Sequence, residues 1–366
     1  MASDQHFQWM ERCLALASRA RFTASPNPMV GCVLVQDGKV LAEGWHVAPG
    51  GPHAEVVALD AFEALGGGDT VGGSALSNAI LYVNLEPCSH HGRTPPCCER
   101  IAASGVGHVV VGTLDPYIEV AGRGIAYLRE KGLKVEVGVL AEECAALNRT
   151  FFHRHTTGRP FVTLKWAQSA DGFMDPPRMK GQLGSIAITG KEAQVLSHGW
   201  RAASDIVVIG AGTVAVDDPA LTVRALDGPD PTRWVLDPNG RTASAARVYG
   251  PGRVAVWGGP ANAPAHVVRL DLAGGSAPDG GSTPADAVRA LVAEAGRTGA
   301  LSVYVEGGRK TLAAFLAAGL WDEIRILQAP HTLAAGLKAP TLPAAREIDR
   351  LEVGRDLAII YAPCSL

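Results

Sequence analysis

Four residues of this 366-residue chain have the types and spacing for metal chemistry. His53 and Glu55 stand two apart in "PHAEVVAL", at a predicted helix start, and Cys88 and Cys97 follow in "EPCSHHGRTPPCCER". One imidazole and two potential thiolates make a soft-to-borderline donor set that suits zinc. Three protein ligands leave the fourth tetrahedral position to water, as in catalytic rather than structural sites. Zinc lowers the pKa of such a water to about 7, and Glu55, outside the ligand set, is placed to shuttle its protons. Two prolines before Cys97 mark a helix start, where thiol pKa values fall.

Other readings compete. A lone His-x-Glu at a helix start is usually an ordinary surface turn. A four-ligand structural zinc is the stronger rival, since Cys98, His90 and His91 are spare donors. Cys97 and Cys98 are adjacent, however, and successive helical side chains point well apart. His-x-Glu followed by Pro-Cys and a second Cys is the signature of zinc deaminases, although eight residues rather than two separate Cys88 from Cys97.

The elements that must hold these residues are legible. Phe7, Met10, Leu14 and Ala17 keep helical spacing and predict an amphipathic first helix. "MVGCVLVQDGKVLAEGW" predicts two strands around an Asp37-Gly38 turn, and a helix follows from about His53 to Leu65. Gly66 to Asn78 reads as a surface loop. "AILYVN", "HVVVG" and "LKVEVGV" are strands, with helices at Cys97 to Ser104 and Gly124 to Lys131, so an α/β layer is expected. The polar, basic stretch Leu147 to Pro160 is the expected joint, giving domains at 1–147 and 161–366 with 148–160 as linker. A second α/β run contains "FVTLKWA", "DIVVIG", "RWVLD", "VAVWGG" and "LSVYVEGG", and Ala273 to Pro284 has too few apolar residues to pack.

Bulk properties narrow the class. A chain of 366 residues exceeds what one core usually organises. With 47% hydrophobic and 19% charged residues and a formal net charge of −3, it lacks the basic surface of a nucleic-acid binder. Aromatics at 6% offer few stacking platforms for single strands. No apolar run approaches the ~20 residues that span a bilayer. The opening "MASDQHFQWMERC" has no signal-peptide core, and seven scattered cysteines do not suggest a disulfide framework, so a cytoplasmic setting is expected.

"PNPMVGCVLV", "PHAEV", "LEPCSHHGRTPPC" and "DPYIEVAGRG" together closely resemble the deaminase half of the bifunctional riboflavin-biosynthesis deaminase-reductases, from about residue 5 to 147. The resemblance implies a cytidine-deaminase-like three-layer α/β/α domain. It implies zinc on His53, Cys88 and Cys97, proton transfer by Glu55, and substrate contacts from Asn27, His46, His90 and Arg93.

In the second half, "GAGTVA" from Gly210 satisfies a dinucleotide glycine fingerprint. That fingerprint needs an unbroken helix, and Asp217-Asp218-Pro219 ends any helix within two turns, which excludes a Rossmann reading. "TLKWAQSADG", "SIAIT", "WRAASDIVVIGAGTVAVDDPALTVR" and "VYVEGGRKTLAAFL" instead resemble the reductase half of the same family, whose fold is similar to dihydrofolate reductase. The resemblance implies NADPH against Ala167, Ala187, Thr213, Asp217 and the run Gly308, Arg309, Lys310, Thr311, Leu312, Ala313 and Ala314. Backbone N–H groups after Glu306-Gly307-Gly308 are suited to phosphate, although "EGG" alone is usually a plain turn. Substrate is expected against Ser185, Arg201, Leu221, Arg224 and Glu306, with the two arginines on its phosphate. Any single arginine is more often a solvated charge.

The chain departs from the family at Ala187, where an aromatic is common, at Pro238, and across Met174 to Gly184. The implied activities are zinc-dependent deamination of a phosphorylated diaminopyrimidine and NADPH-dependent reduction of the product's ribosyl chain. Partners are then small molecules, with neither nucleic acid nor membrane, and a homo-oligomer is left open. The rival enzyme is a zinc base deaminase with a degenerate, non-reducing nucleotide-binding domain. A zinc-stabilised binding module is the non-enzyme rival.

Overall fold

A computed structural model describes residues 2–67, 76–90, 95–117, 121–272 and 283–364. The chain divides into two compact units, Met1–Gly158 and Arg159–Leu366.

In the first unit, helix α1 (Ala2–Ala17) precedes strands β1 (Gly31–Gln36) and β2 (Lys39–Trp45). Helix α2 (Ala54–Phe62), β3 (Ile80–Leu85), α3 (Cys97–Ser104), β4 (His108–Thr113) and α4 (Arg123–Glu130) follow. β5 (Lys134–Val137), α5 (Ala141–Leu147) and α6 (Arg149–Thr157) complete it. The sheet order is β2-β1-β3-β4-β5, with β1 antiparallel to both neighbours and β3, β4 and β5 parallel. Asp37 and Gly38 both take positive φ (50° and 72°), as a two-residue hairpin whose twist matches its strands requires.

Alternation along β1 explains the three layers. Cys32 and Leu34 pack with Ala54, Ala58 and Leu59 of α2, whereas Val33 and Val35 pack with Met10, Cys13 and Leu16 of α1. The buried stripe of α1 is therefore Met10, Cys13, Leu16 and Ala17; Phe7, expected on it, is exposed. Gly44 lets α2 lie on the sheet, since a Cβ there would come within 2.7 Å of Ala54 O and Ala58 N.

Two segments differ from expectation. The helix predicted to Leu65 leaves α geometry after Phe62 and closes as a wider turn over Glu63–Gly67, with Gly66 left-handed at φ 84°. Most of the Gly66 to Asn78 loop lies outside the described residues. Most of the expected linker 148–160 is helix α6, and its residues up to Gly158 belong to the first unit. Buried Asn148 explains this: its Oδ1 accepts from Met29 N at 2.7 Å and its Nδ2 donates to Met29 O at 2.9 Å. Phe151 is buried against the His155 ring at 4.4 Å.

The second unit runs β6 (Phe161–Gln168), β7 (Phe173–Asp175), α7 (Lys191–Ala202), β8 (Ile206–Gly210), α8 (Ala211–Asp217) and β9 (Thr232–Asp237). It continues with β10 (Val254–Gly258), β11 (Val268–Leu270), α9 (Pro284–Arg297), β12 (Ser302–Val305), α10 (Arg309–Ala318), β13 (Glu323–Gln328), β14 (Leu337–Lys338), β15 (Ala345–Val353) and β16 (Asp356–Pro363). Nine strands form one sheet, β11-β10-β9-β8-β12-β6-β13-β16-β15, parallel up to β13 and antiparallel after it. Ile206 and Val208 face one core and Val207 and Ile209 the other, so β8 is covered on both faces. Pro284, expected in a loop, is the first residue of α9, where Thr283 and Asp286 form a reciprocal capping box. The rest of that loop, 273–282, lies outside the described residues.

Candidate functional site

The end of β3 and the first turns of α2 and α3 bring three donors together. The ligand atoms of His53, Cys88 and Cys97 all lie within 4.8 Å of one another. His53 Nδ1 is 3.1 Å from Cys97 Sγ and 3.5 Å from Cys88 Sγ. A tetrahedral ion holding nitrogen and sulfur at ordinary zinc distances would separate them by about 3.5 Å. The donor set and its spacing fit zinc.

Each donor is aimed by local structure. His53 is the residue that opens α2, and its extended backbone (φ −75°, ψ 161°) turns the ring out of the helix. Cys97 is the first residue of α3, and its N–H donates to Cys88 Sγ at 3.2 Å. Hydrogen bonding from Cys97, together with His53, pulls the Cys88 thiol down to about 4, so it is a thiolate at neutral pH. The Cys97 thiol is pushed up, chiefly because it shares a proton with Cys88 and is buried. Cys98 is buried on α3, its thiol pushed up to about 11 mainly by burial, and His90 is exposed. Among the described residues neither joins the three donors.

Glu55, in the first turn of α2, is only 3% exposed. Burial, and then the Cys88 charge, raise its carboxyl to about 7. A group poised there can both take and give a proton near neutrality.

His46 is also buried, and burial lowers its pKa. Its Nδ1 lies 3.0 Å from Pro52 O, which can only accept, so the ring donates there. The other nitrogen then accepts from Asn27 Nδ2 at 2.9 Å. The ring stands edge-on to His53, with centroids 5.4 Å apart. Asn27 and His46 are thus assembled beside the three candidate metal donors, His90 stands edge-on to Tyr117 at 6.3 Å, and Arg93 lies outside the described residues.

Sequence reasoning missed Glu86, just before Pro87-Cys88. Its buried carboxylate accepts from the backbone N–H of Asp115, Gly122, Gly124 and Ile125, at 2.9 to 3.3 Å. It thereby ties the start of α4 to the strand end that carries Cys88. An acid sandwiched between a buried strand and a proline was the available signal.

In the second unit, a cleft of about 770 Å³ runs over the C-terminal ends of β8, β9 and β12. Thr213, Asp217, Glu306, Gly308, Arg309, Lys310, Thr311 and Ala314 line it, as do Arg178, Pro238, Arg241 and Trp257. Glycines 307 and 308 are dictated by close approach: a Cβ on Gly307 would sit 2.7 Å from Ile209 Cα, and Gly308 has φ 51° with Thr213 Oγ1 2.5 Å from its Cβ position. The seven-residue α8 ends at Asp218 in the left-handed region, φ 41°. Cationic Arg241, Arg309 and Lys310 around an open cleft fit an anionic dinucleotide.

Not every expected residue lines that cleft. Leu312 is in the core, Ala313, Ala187 and Ser185 are exposed elsewhere, Ala167 is half-buried on β6, and Leu221 packs in the core at φ 55°. Arg201, expected on phosphate, is 7% exposed and already committed. Its Nε and Nη2 meet the Glu306 carboxylate at 2.6 and 3.0 Å, and Nη1 donates to Thr222 O at 2.6 Å. Arg224 is exposed, with Nη1 on Thr222 Oγ1 at 2.9 Å. Lys165, unassigned from sequence, is 3.8 Å from Glu306, and burial lowers its pKa. Arg201 and Lys165 outweigh burial and hold Glu306 at about 2.

Comparison with known proteins agrees with both units. The family model of the RibD C-terminal domain matches residues 160–353, and that of the cytidine and deoxycytidylate deaminase zinc-binding region matches residues 3–113. The chain belongs to the RibD family. It is 35% identical to riboflavin biosynthesis protein RibD of Aquifex aeolicus over 96% of this chain and 97% of that one. It is also 35% identical to RibD of Escherichia coli strain K12, over 93% and 92%. A crystal structure of a Thermotoga maritima diaminohydroxyphosphoribosylaminopyrimidine deaminase/5-amino-6-(5-phosphoribosylamino)uracil reductase superposes with a TM-score of 0.86 at 32% identity, covering both chains completely. RibD of Acinetobacter baumannii gives 0.82 at 32% identity, covering 99% of this chain and 100% of that one. The protein is therefore a bifunctional deaminase and reductase of riboflavin biosynthesis, with a mixed α/β fold in both units. No helix among the described residues is long and apolar enough to cross a membrane.

Proposed function

We propose that the first unit hydrolyses the 2-amino group from 2,5-diamino-6-(5-phosphoribosylamino)pyrimidin-4-one, and that the second reduces the ribosyl chain of the resulting uracil to ribityl with NADPH. The convergence of His53, Cys88 and Cys97 beside buried Glu55 carries the reading. A binding module has no use for a neutral-range carboxyl beside a three-donor metal site. When bound, zinc supplies an acidified water at neutral pH. With the metal held by His53, Cys88 and Cys97, Glu55 would take up the proton of the attacking water and return it to the leaving ammonia. Asn27 and His46, fixed in one tautomer by Pro52 O, orient the pyrimidine, with His90 and Arg93 beyond them.

In the reductase, Thr213, Asp217 and the start of α10 hold the cofactor, which supplies two electrons when bound. Reduction at C1′ opens the ribosyl ring, and its oxygen must gain a proton. Lys165, whose proton is loosened by burial against the opposing pull of Glu306 at 3.8 Å, is assigned that role. Arg224 remains available for substrate phosphate, and Arg201 acts through Glu306. All seven cysteines are free, which supports a reducing, cytoplasmic setting.

The test is to supply purified protein with the diaminopyrimidine phosphate and follow ammonia release and NADPH oxidation separately. Ammonia release should cease once a strong chelator has removed the metal, while reduction of pre-deaminated substrate continues. Ammonia release that survives complete metal removal would refute the deaminase mechanism.

A further inference from the structure

The wall of the reductase cleft formed by residues 174–186 has a charge arrangement that the shared reaction does not explain. Met174, Asp175, Arg178 and Ile186 line the cleft from this side, and Val216 and Asp217 of α8 meet them. Position 187 adds nothing there, since Ala187 is exposed and off the cleft.

Arg178 holds this wall together. Its Nη2 lies 2.9 Å from Asp175 Oδ1 and 3.2 Å from Asp217 Oδ1, and its Nε also meets the Asp175 carboxylate. Nη1 donates to Gly184 O at 2.8 Å, and Gly184 N–H donates to Val216 O at 2.7 Å. Asp175 is itself held in register against Leu337 of β14. The segment is therefore stitched to α8 at two points, and one guanidinium bridges two carboxylates that both face the cleft.

Four cations line the cleft: Arg178, Arg241, Arg309 and Lys310. Among the described residues, Arg178 is the one of the four that is ion-paired. The other three remain to meet anionic ligand groups directly, whereas Arg178 acts on the acids. Without it, Asp175 and Asp217 would present two negative charges to the phosphates of a dinucleotide entering the cleft, even though Asp217 can still accept hydrogen bonds from the cofactor's uncharged groups. Burial and the neighbouring Asp175 already raise the Asp217 carboxyl despite Arg178, which shows how strained that pair of acids is.

We propose that Arg178 is a cofactor-affinity determinant of this chain: it bridges Asp175 to Asp217, offsetting one of their two negative charges against the dinucleotide and fixing the 174–184 segment as the cleft wall. The inference rests on the assignment of this cleft to NADPH. It differs from a purely structural role in one respect, because an electrostatic contribution must respond to salt and to removal of the acids.

The test titrates the full-length protein with NADPH, reading quenching of tryptophan fluorescence, to which Trp257 in the cleft contributes. Arg178→Ala should weaken NADPH roughly tenfold at low ionic strength, with the loss shrinking as salt rises. Arg178→Ala combined with Asp175→Asn should recover most of the affinity. Asp175→Asn alone should bind NADPH at least as tightly as wild type at low salt, an expectation independent of whether Arg178→Ala folds. A loss that is unchanged by salt and unrelieved by Asp175→Asn, or no loss at all, would overturn the proposal. Failure of the wild type to bind NADPH would instead remove the cofactor assignment, and this inference with it.

Discussion

Replacing Arg201 separates two roles for one arginine. Sequence reasoning sends it to the substrate phosphate, whereas the structure commits its fork to Glu306 in a pair that is less than a tenth exposed. The Glu306 carboxyl is held at about 2 against an ordinary value of 4.5. At ~1.4 kcal/mol per pKa unit, that depression corresponds to about 3 kcal/mol of stabilisation, an upper bound on the share of Arg201 because Lys165 contributes to it. Breaking a buried pair by removing one partner costs about 3–5 kcal/mol by mutational precedent, in agreement. For a unit of this size, 1 kcal/mol moves the melting temperature by about 2–4 °C, so Arg201→Ala should lower the reductase transition by roughly 6–12 °C.

The pH dependence has a definite sign. A depressed acid contributes stability above its unfolded pKa and loses it as pH falls through its folded pKa. The melting difference between wild type and Arg201→Ala should therefore be full at pH 7 and shrink between about 4.5 and 2. Calorimetry of the full chain reads the transition, and the deaminase activity of the same sample shows that the other unit is intact. Reductase activity should fall by a similar factor with and without phosphate on the substrate. A variant that melts within about 2 °C of wild type, and whose defect vanishes on dephosphorylated substrate, would refute the structural argument and restore the phosphate reading.

Glu55→Gln should keep its zinc by elemental analysis yet lose deamination by ~10²-fold or more, while Cys88→Ser should lose the metal; a metal-free Glu55→Gln protein would remove its assignment as proton carrier. Arg224→Ala should leave the melting temperature unchanged and cost roughly ten- to hundredfold in reductase efficiency, and the cost should disappear on substrate without phosphate. A fragment beginning at Arg159 should reduce deaminated substrate in the presence of a chelator, because each unit has its own core. Chelator-sensitive reduction by that fragment would count against the division.

What could be read in advance follows from how locally each feature is encoded. The hairpin at Asp37-Gly38 and the short helix before Pro219 depend on backbone chemistry within a few residues, and both appear where the residues demand them. The three metal donors come from two segments, but sulfur and imidazole are rare enough in combination to identify each other. Arg201 and Glu306 lie 105 residues apart, and nothing near either one names its partner. Helix α6 was hidden for a related reason. "RTFFHRHTT" is polar enough to read as a joint, and Asn148, whose side chain anchors its start, bonds to Met29 at the opposite end of the unit's sequence.

The same distinction explains why the two sites differ in what their surroundings contribute. At the candidate metal site the donors are chemically sufficient, and the surroundings add positioning: Glu86 ties loops together, and Pro52 O fixes the tautomer of His46. In the reductase cleft no residue type is diagnostic alone. Lys165 is informative only because it lies inside a strand whose neighbours are buried, and Glu306 only because two cations converge on it. Acids and bases there acquire their properties from pairing, so one unpaired change should propagate: loss of Arg201 leaves Glu306 to Lys165 alone, raises the carboxyl toward its ordinary range and, by removing a neighbouring positive charge, tightens the lysine's hold on its proton. The fold of the reductase, read as its melting temperature, should accordingly tolerate substitutions at exposed Arg224 far better than at buried Arg201, although the sequence presents the two as equivalent basic residues.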